Sequence, residues 1–480
     1  MPAGKPEVTE GYPYGEYKVK REPLSREEQK VYEAFLDLLF GRISLDHFVK
    51  SSGFRGDESL ESFITAKDRT LIGKPVPRGD YEQFCNNISP FVDEFGVDTQ
   101  KVAAAVTEAV HGYKTVQPLF SDEDLEEIII NGIDSPIIVI HRKWGACRTN
   151  LSLKSAHELR VLVSQLGADE NKPFDDLRLP DGCRANVTFE PAVSQTAITI
   201  RKFRYTPMSI IDIISNGTID SELAGFLWLA VDGFGLYPLN VLIAGGTASG
   251  KTTTLNALAG LVPPNERVVS IEDTREINLF GRENWIAQET TEKATLEDLV
   301  RNTLRMRPDR VIVGEIRGRE AEDLFTAMNV GHRGTIATLH ANSDRDAVKR
   351  LENTPMDVPR QLLPLVDVIM VQHRLKSAKS GKITRKVVQV SEVSRIEDEI
   401  SLNEIFAWDP AAEKLVPTKL SSQSREKVAK AEGMTLRQIG EEIERRRKMV
   451  DYLLDKGITQ YENVCKFMQT YYAESSRGKA

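Results

Sequence analysis

Apolar positions along the chain fall into stretches of different period, and each period predicts its own kind of element. Val31, Phe35, Leu38 and Leu39 recur at helical spacing behind Ser25 and Glu28, a pair placed to form a capping box. Thr99 to His111, rich in Ala and Val, reads as another helix. From about residue 116 the pattern shortens. Glu127 to Asn131 (EIIIN), Pro136 to His141 (PIIVIH) and Ala197 to Arg201 (AITIR) are β-branched runs divided by the turn signals Asn131-Gly132 and Asp181-Gly182, with a helix over Ser155 to Leu166 among them. Asn240 to Ala244 (NVLIA), Arg267 to Ile271 (RVVSI), Arg310 to Val313 (RVIV) and Val366 to Val371 (VDVIMV) are later apolar strands separated by helical segments, which predicts a mostly parallel sheet. Beyond about residue 420 the helical period returns. Thr435 and Gln438 form a capping box, and Leu436, Ile439, Ile443, Val450 and Leu453 make one apolar stripe that Gly457 ends.

These changes divide the chain into a mostly helical region over 1–115, an α+β domain over 116–205, a P-loop α/β core over 206–415 and a helical tail over 416–480. Residues 1 to about 22, polar and rich in Pro, Gly and Lys, are expected to be an extended arm. Residues 374 to 386 (RLKSAKSGKITRK) read as a solvated basic hairpin tip between two strands.

Composition narrows the function. A length of 480 residues predicts two or three domains, and 40% hydrophobic with 28% charged residues is ordinary globular composition. The longest apolar run near the middle, Leu223 to Val231, stops at Asp232, well short of the ~18 residues of a membrane span. The opening MPAGKPEVTE lacks the charged and apolar regions of a secretory signal, so work at a membrane would go through a partner. A net charge of -8 argues against a dedicated nucleic-acid binder. Cys85, Cys147, Cys183 and Cys465 are scattered without a CxxC pair, so reduced thiols are expected rather than a zinc site.

The strongest chemical signal is Gly245-Gly246-Thr247-Ala248-Ser249-Gly250-Lys251-Thr252, which matches GxxxxGK[ST] between an apolar strand and a helix beginning at Thr253. Glycines let the backbone wrap a phosphate with its N–H groups inward. Lys251 is then expected on the β- and γ-phosphates and the Thr252 hydroxyl on Mg²⁺, with Thr253 completing the nucleotide-binding set. Guanine selection would need Asn-Lys-x-Asp after this loop, and the sole Asn-Lys, Asn171-Lys172, precedes it, so ATP is favoured. Arg307 to Glu315 (RPDRVIVGE) is a buried strand ending in an acid. It is expected beside the P-loop strand, with Glu315 placed to polarise the attacking water. Gly314 stands where many such strands carry a metal-binding Asp, so the magnesium-facing carboxylate must come from elsewhere. Ser270 to Glu276 (SIEDTRE), above all Glu272, supplies it from the end of another buried strand. His340 ends a further apolar run in Gly331 to Asn342 (GHRGTIATLHAN), at a plausible γ-phosphate position.

The ordered set of P-loop, IEDTRE, RPDRVIVGEIRG and GHRGTIATLHANS resembles the secretion ATPase superfamily, which includes the ATPases of type II and type IV secretion, type IV pili and the archaellum. The resemblance runs from about residue 116 to 375. It implies an acidic box around Glu272 and Glu276, a Walker B glutamate at Glu315 and a histidine box ending at His340. It also implies a RecA-like core preceded by an α/β domain, with the nucleotide between the two, and phosphate-sensing arginines at Arg184 and Arg201. Members are homohexamers that serve a polytopic platform protein at the inner face of the cell membrane. LEEIIINGIDSPIIVIHRKWG (Leu125 to Gly145) and the helical tail look like the archaeal branch, and the paired CxxC insertion of bacterial type II and pilus-extension members is absent. Arg333 after His332 departs from simpler histidine boxes and leaves no role assigned to His332. The rival reading, a RecA-like nucleic-acid translocase, lacks the interleaved aromatic and basic residues it would use.

Overall fold

The computed structural model describes residues 4–9, 11, 13–20, 22–52, 54, 60, 63, 74–203, 206–376, 383–397, 399–418 and 420–477. The chain forms two compact units, Met1–Arg204 and Tyr205–Ala480.

In the first unit the helix Arg26–Leu39 begins with the capping box read from the sequence: Ser25 Oγ accepts the Glu28 N–H at 3.2 Å and Glu28 Oε2 accepts the Ser25 N–H at 2.7 Å. Its apolar stripe packs with the helices Arg78–Asp93 and Thr99–His111 around Phe35, Phe48, Phe84, Ile88 and Val106. Strands β1 (Gly4–Thr9), β2 (Gly15–Lys20), β3 (Leu125–Ile130), β4 (Ile138–His141), β5 (Gly145–Thr149), β6 (Phe174–Arg178), β7 (Arg184–Thr188) and β8 (Ala197–Arg201) form, among the described residues, a sheet in the order β1-β2-β5-β4-β3-β8-β7-β6. The expected extended arm is therefore corrected: it folds back as two strands, β2 running parallel to β5 with Gly15 opposite Cys147. The reason is the period of two in GEYKVK, which buries Tyr17 and Val19 and exposes Glu16, Lys18 and Lys20.

In the second unit β9 (Val241–Gly245), β10 (Val268–Glu272), β11 (Trp285–Glu289), β12 (Arg310–Ile316), β13 (Ile336–Leu339), β14 (Val368–Lys376), β15 (Ile383–Ile396), β16 (Glu399–Asp409) and β17 (Lys414–Pro417) form a second sheet, ordered β11-β10-β12-β13-β9-β14-β15-β16-β17. From β11 to β14 the pairs are parallel, and from β14 to β17 antiparallel. Both faces are covered: Val241 and Ile243 enter one apolar core, Leu242 and Ala244 the other. That is why these strands read as continuous apolar runs. The tip of the basic turn, residues 377–382, lies outside the described residues.

The C-terminal helices Gln423–Glu432, Leu436–Asp455 and Tyr461–Arg477 contribute to the first of these cores. Arg446 is wholly buried, 2.8 Å from both Asp232 and Glu442 and 5.3 Å from the Trp228 ring centre. A buried charge is tolerated only when paired in this way. Gly225 lets two helices touch, since a Cβ there would lie 2.9 Å from the Ile443 carbonyl oxygen. Of the apolar stripe read from the sequence, Ile439, Ile443, Val450 and Leu453 are buried, but Leu436 is 52% exposed. It sits in the first turn, directly behind the Thr435 cap, and the buried face begins one turn later.

Candidate active site

The phosphate-type loop leaves the fully buried β9 and enters the helix Lys251–Ala259. Ala248 and Gly250 have φ of 58° and 93°, so the chain turns twice through left-handed geometry. Gly245 is required by space: a Cβ would lie 2.4 Å from the Gln372 carbonyl oxygen and 2.5 Å from Ser249 Oγ. Lys251 Nζ is buried and donates to the carbonyls of Gly245 (2.9 Å) and Gly246 (3.1 Å). Burial lowers its pKa, and the nearby Glu315 charge opposes the shift. Thr247, Ala248 and Thr253 are exposed, and Gly246, Gly250 and Thr252 half-buried, on the same loop and first helical turn.

Glu272 closes β10 at 2% exposure. Its Oε1 accepts the N–H groups of Glu276 (2.8 Å) and Ile277 (2.9 Å), while Oε2 is buried without a hydrogen-bond partner. Desolvation raises its pKa to about 7 against those two amides. Asn256 ties the acidic loop to the P-loop helix, donating to the Glu276 carbonyl at 3.1 Å and accepting the Asn278 N–H at 2.9 Å. Gly314 explains itself here: a Cβ on it would stand 2.8 Å from Glu272 Cγ. The space where an Asp side chain would begin is filled by Glu272 from the neighbouring strand.

Glu315 follows in β12, at a register shift between Val313 and Ile316 against β13 that re-aims its side chain. Arg317 Nη2 donates to Glu315 Oε2 at 2.5 Å and Arg317 Nη1 lies 3.5 Å from Asp273 Oδ2. His340 Nε2 stands 2.8 Å from Glu315 Oε1, close enough for an ion pair but off the line of a hydrogen bond. Burial and the Lys251 charge lower the His340 pKa, while the Glu315 carboxylate opposes the shift. The strand bearing Glu315 does not lie beside the P-loop strand as expected: β13 intervenes, and His340 at its end is the nearer neighbour in strand order. Periodicity identifies a buried strand but carries no information on the order of parallel neighbours.

His332 precedes β13 and His340 follows it, so the structure does not bring the two histidines together. The first half of that motif serves packing. Arg333 sits 3.9 Å over the Tyr237 ring, and Gly334 leaves room for Arg310, whose Nη1 would be 1.6 Å from a Cβ there.

Arg184 and Arg201 belong to the first unit, exposed and directly opposite each other on β7 and β8. Arg178 opposes Arg184 on β6, and Glu127 opposes Arg201 on β3, so the four share one face of the sheet. Arg178 escapes sequence reading because FDDLR has no apolar run to mark it as a strand. Among the described residues no group of three or more His, Cys, Asp or Glu is gathered as a metal cluster.

A glycine-formed loop at the carboxyl edge of a parallel sheet, facing acidic strand ends, is the layout of RecA-like P-loop proteins, and this chain has that fold. The chain belongs to the Type II/IV secretion system protein family, whose profile matches residues 122–463. It is 33% identical over 389 residues to the uncharacterised protein MJ0900 of Methanocaldococcus jannaschii, covering 76% of this chain and 69% of that one. It is 43% identical over 234 residues to MJ0781 of the same organism, 45% of this chain but only 32% of the longer relative. The VirB11 ATPase of the Brucella suis type IV secretion system, solved in complex with sulphate, matches 58% of this chain and 95% of its own at 25% identity, with a TM-score of 0.31.

The contact between Gly314 and Glu272 yields a direct test. Gly314→Ala is expected to destabilise the protein by about 1–3 kcal/mol, as overpacking a core does. Glu272→Ala in the same chain should recover part of that loss, because the clashing Cγ is gone. Equal denaturation midpoints for wild type and Gly314→Ala would mean the side chain yields freely.

Proposed function

We propose that this protein is the ATP-driven motor of a secretion, type IV pilus-like or archaellum machine, working as a homohexamer against a polytopic platform protein at the inner face of the cell membrane. The observation that carries the reading is the convergence of Lys251, Glu272, Glu315 and His340 at one edge of the sheet, with Glu272 Oε2 buried and unpartnered. Relatives from an archaeon support placement in the archaeal branch. Among the described residues no helix is long and apolar enough to cross a membrane, which suits attachment through a partner. Residues 1–115 are the part we assign to a partner specific to the machine.

In this reading Lys251 and the loop amides bind the polyphosphate, and Glu315 orients the attacking water and draws its proton. The orphaned Glu272 oxygen and the Thr252 hydroxyl suit Mg²⁺, which takes oxygen ligands and keeps several waters. Bound there with nucleotide, the ion would screen phosphate charge. Arg184 and Arg201 act on the γ-phosphate in the working assembly, where a forked, permanently charged guanidinium suits a contact made late in the cycle. Arg184→Ala and Arg201→Ala are each expected to lower kcat at least ~tenfold with nucleotide affinity nearly intact, below the full range of an arginine finger. Lys at either position should rescue only partly. Wild-type turnover by both Ala variants as intact oligomers would make these arginines structural.

The purified full chain tests the reading as a whole. We expect Mg²⁺-dependent ATP turnover, and light scattering at the mass of six chains with a non-hydrolysable ATP analogue. Turnover stimulated by DNA at moderate salt, or a monomer at micromolar concentration with the analogue bound, would point away from a secretion-type motor.

A further inference from the structure

The β14–β15 hairpin reaches the back of the phosphate loop, and none of the four sequence motifs includes it. Gln372 on β14 is paired with Gly245 at the end of β9 and is 1% exposed. Its Nε2 donates to the Ser249 carbonyl at 2.9 Å, and its Oε1 accepts the Thr254 hydroxyl at 2.8 Å. The orientation of the amide is fixed by chemistry, since a carbonyl can only accept and must face the NH₂ end. From β15, Arg385 Nε donates to the Ala248 carbonyl at 3.1 Å, and its stem lies so close to Gly250 that a Cβ there would be 3.0 Å from Arg385 Cδ.

Two successive loop carbonyls, those of Ala248 and Ser249, are thus held by donors from one hairpin. A loop that offers N–H groups to an anion has to direct the intervening carbonyls away from it. Without phosphate those aligned amide dipoles repel one another, and Ala248 sits at a positive φ that a residue with a Cβ keeps only when its surroundings hold it there.

We propose that Gln372 and Arg385 are positioning residues for nucleotide binding. They hold the Ala248 and Ser249 carbonyls back so that the loop is set for a polyphosphate before one arrives. The inference rests on the phosphate-loop reading of the site. Preorganisation of this kind strengthens binding by removing a reorganisation cost. The loop embraces phosphates common to ADP and ATP, so both nucleotides should respond equally.

The test is calorimetric titration of the full chain with ADP and with a non-hydrolysable ATP analogue. Gln372→Leu is expected to weaken both about tenfold and Arg385→Ala both about threefold, the range for one or two lost hydrogen bonds. The loss should fall on Kd and KM, with kcat at saturating ATP reduced by a smaller factor. A merely structural role would instead lower kcat and the nucleotide-free denaturation midpoint together. Arg385→Met keeps the apolar stem but has no N–H to donate, so it should bind no better than Arg385→Ala. Wild-type affinity in Arg385→Met would mean that stem packing and not the hydrogen bond is at work, overturning the assignment of Arg385. Arg385 is exposed, so its variants carry the test even where Gln372→Leu does not fold. Affinities within twofold of wild type in the folded variants overturn the proposal. A wild-type chain that binds no ADP would bring down the phosphate-loop reading beneath it.

Discussion

Glu315→Gln is expected to bind MgATP as the wild type does and to hydrolyse it at least ~100-fold more slowly, the usual contribution of a general base. The substitution keeps shape and removes charge, so it isolates the chemistry. Glu315 is 17% exposed in side chain, and its two oxygens face different neighbours, Arg317 Nη2 at 2.5 Å and His340 Nε2 at 2.8 Å. Arg317 is the cation hydrogen-bonded to this side chain, and the pairing raises its own pKa. Single-turnover phosphate release, measured alongside nucleotide binding, separates the two steps. Turnover within a factor of a few of wild type would remove Glu315 from the chemistry and return the role to the acidic loop around Glu272.

What could be read from the sequence follows from how tightly physics ties residue type to position. The phosphate loop is legible because left-handed turns, close backbone approach and a buried lysine each demand particular residues at fixed spacing. The parallel strands are legible because two covered faces leave no room for polar positions. Outside those constraints the signal fades. Strands β1 and β2 hide in a polar, Lys-rich stretch, where the alternation of β2 buries Gly15, Tyr17 and Val19. Strand β11 is half-buried throughout at the edge of its sheet, and no continuous apolar run announces it. The interposition of β13 between β9 and β12 depends on crossovers that periodicity cannot see. Gln372 is a single amide after a run of apolar residues, unremarkable until its partners on the loop are known. Gly314, by contrast, is conspicuous in sequence as a missing acid, and only the neighbouring strand shows what fills the space.

Lys251→Ala should abolish productive ATP binding while leaving the fold in place. Nζ is buried and satisfied by two loop carbonyls at 2.9 and 3.1 Å, and burial disfavours its charge. Phosphate adds opposite charge beside a partly desolvated ammonium, so the gain on binding exceeds that of an exposed lysine. Charge-assisted hydrogen bonds contribute about 1.5–3 kcal/mol each, so losing two weakens binding by at least ~100-fold. Lys251→Arg should not rescue fully, because the planar guanidinium is larger than the compact ammonium and presents its donors in a fixed fork. The variant also complements Glu315→Gln: titration with MgATP should show affinity lost in the first and kept in the second. An alanine variant that binds MgATP within a factor of a few of wild type would place the polyphosphate elsewhere.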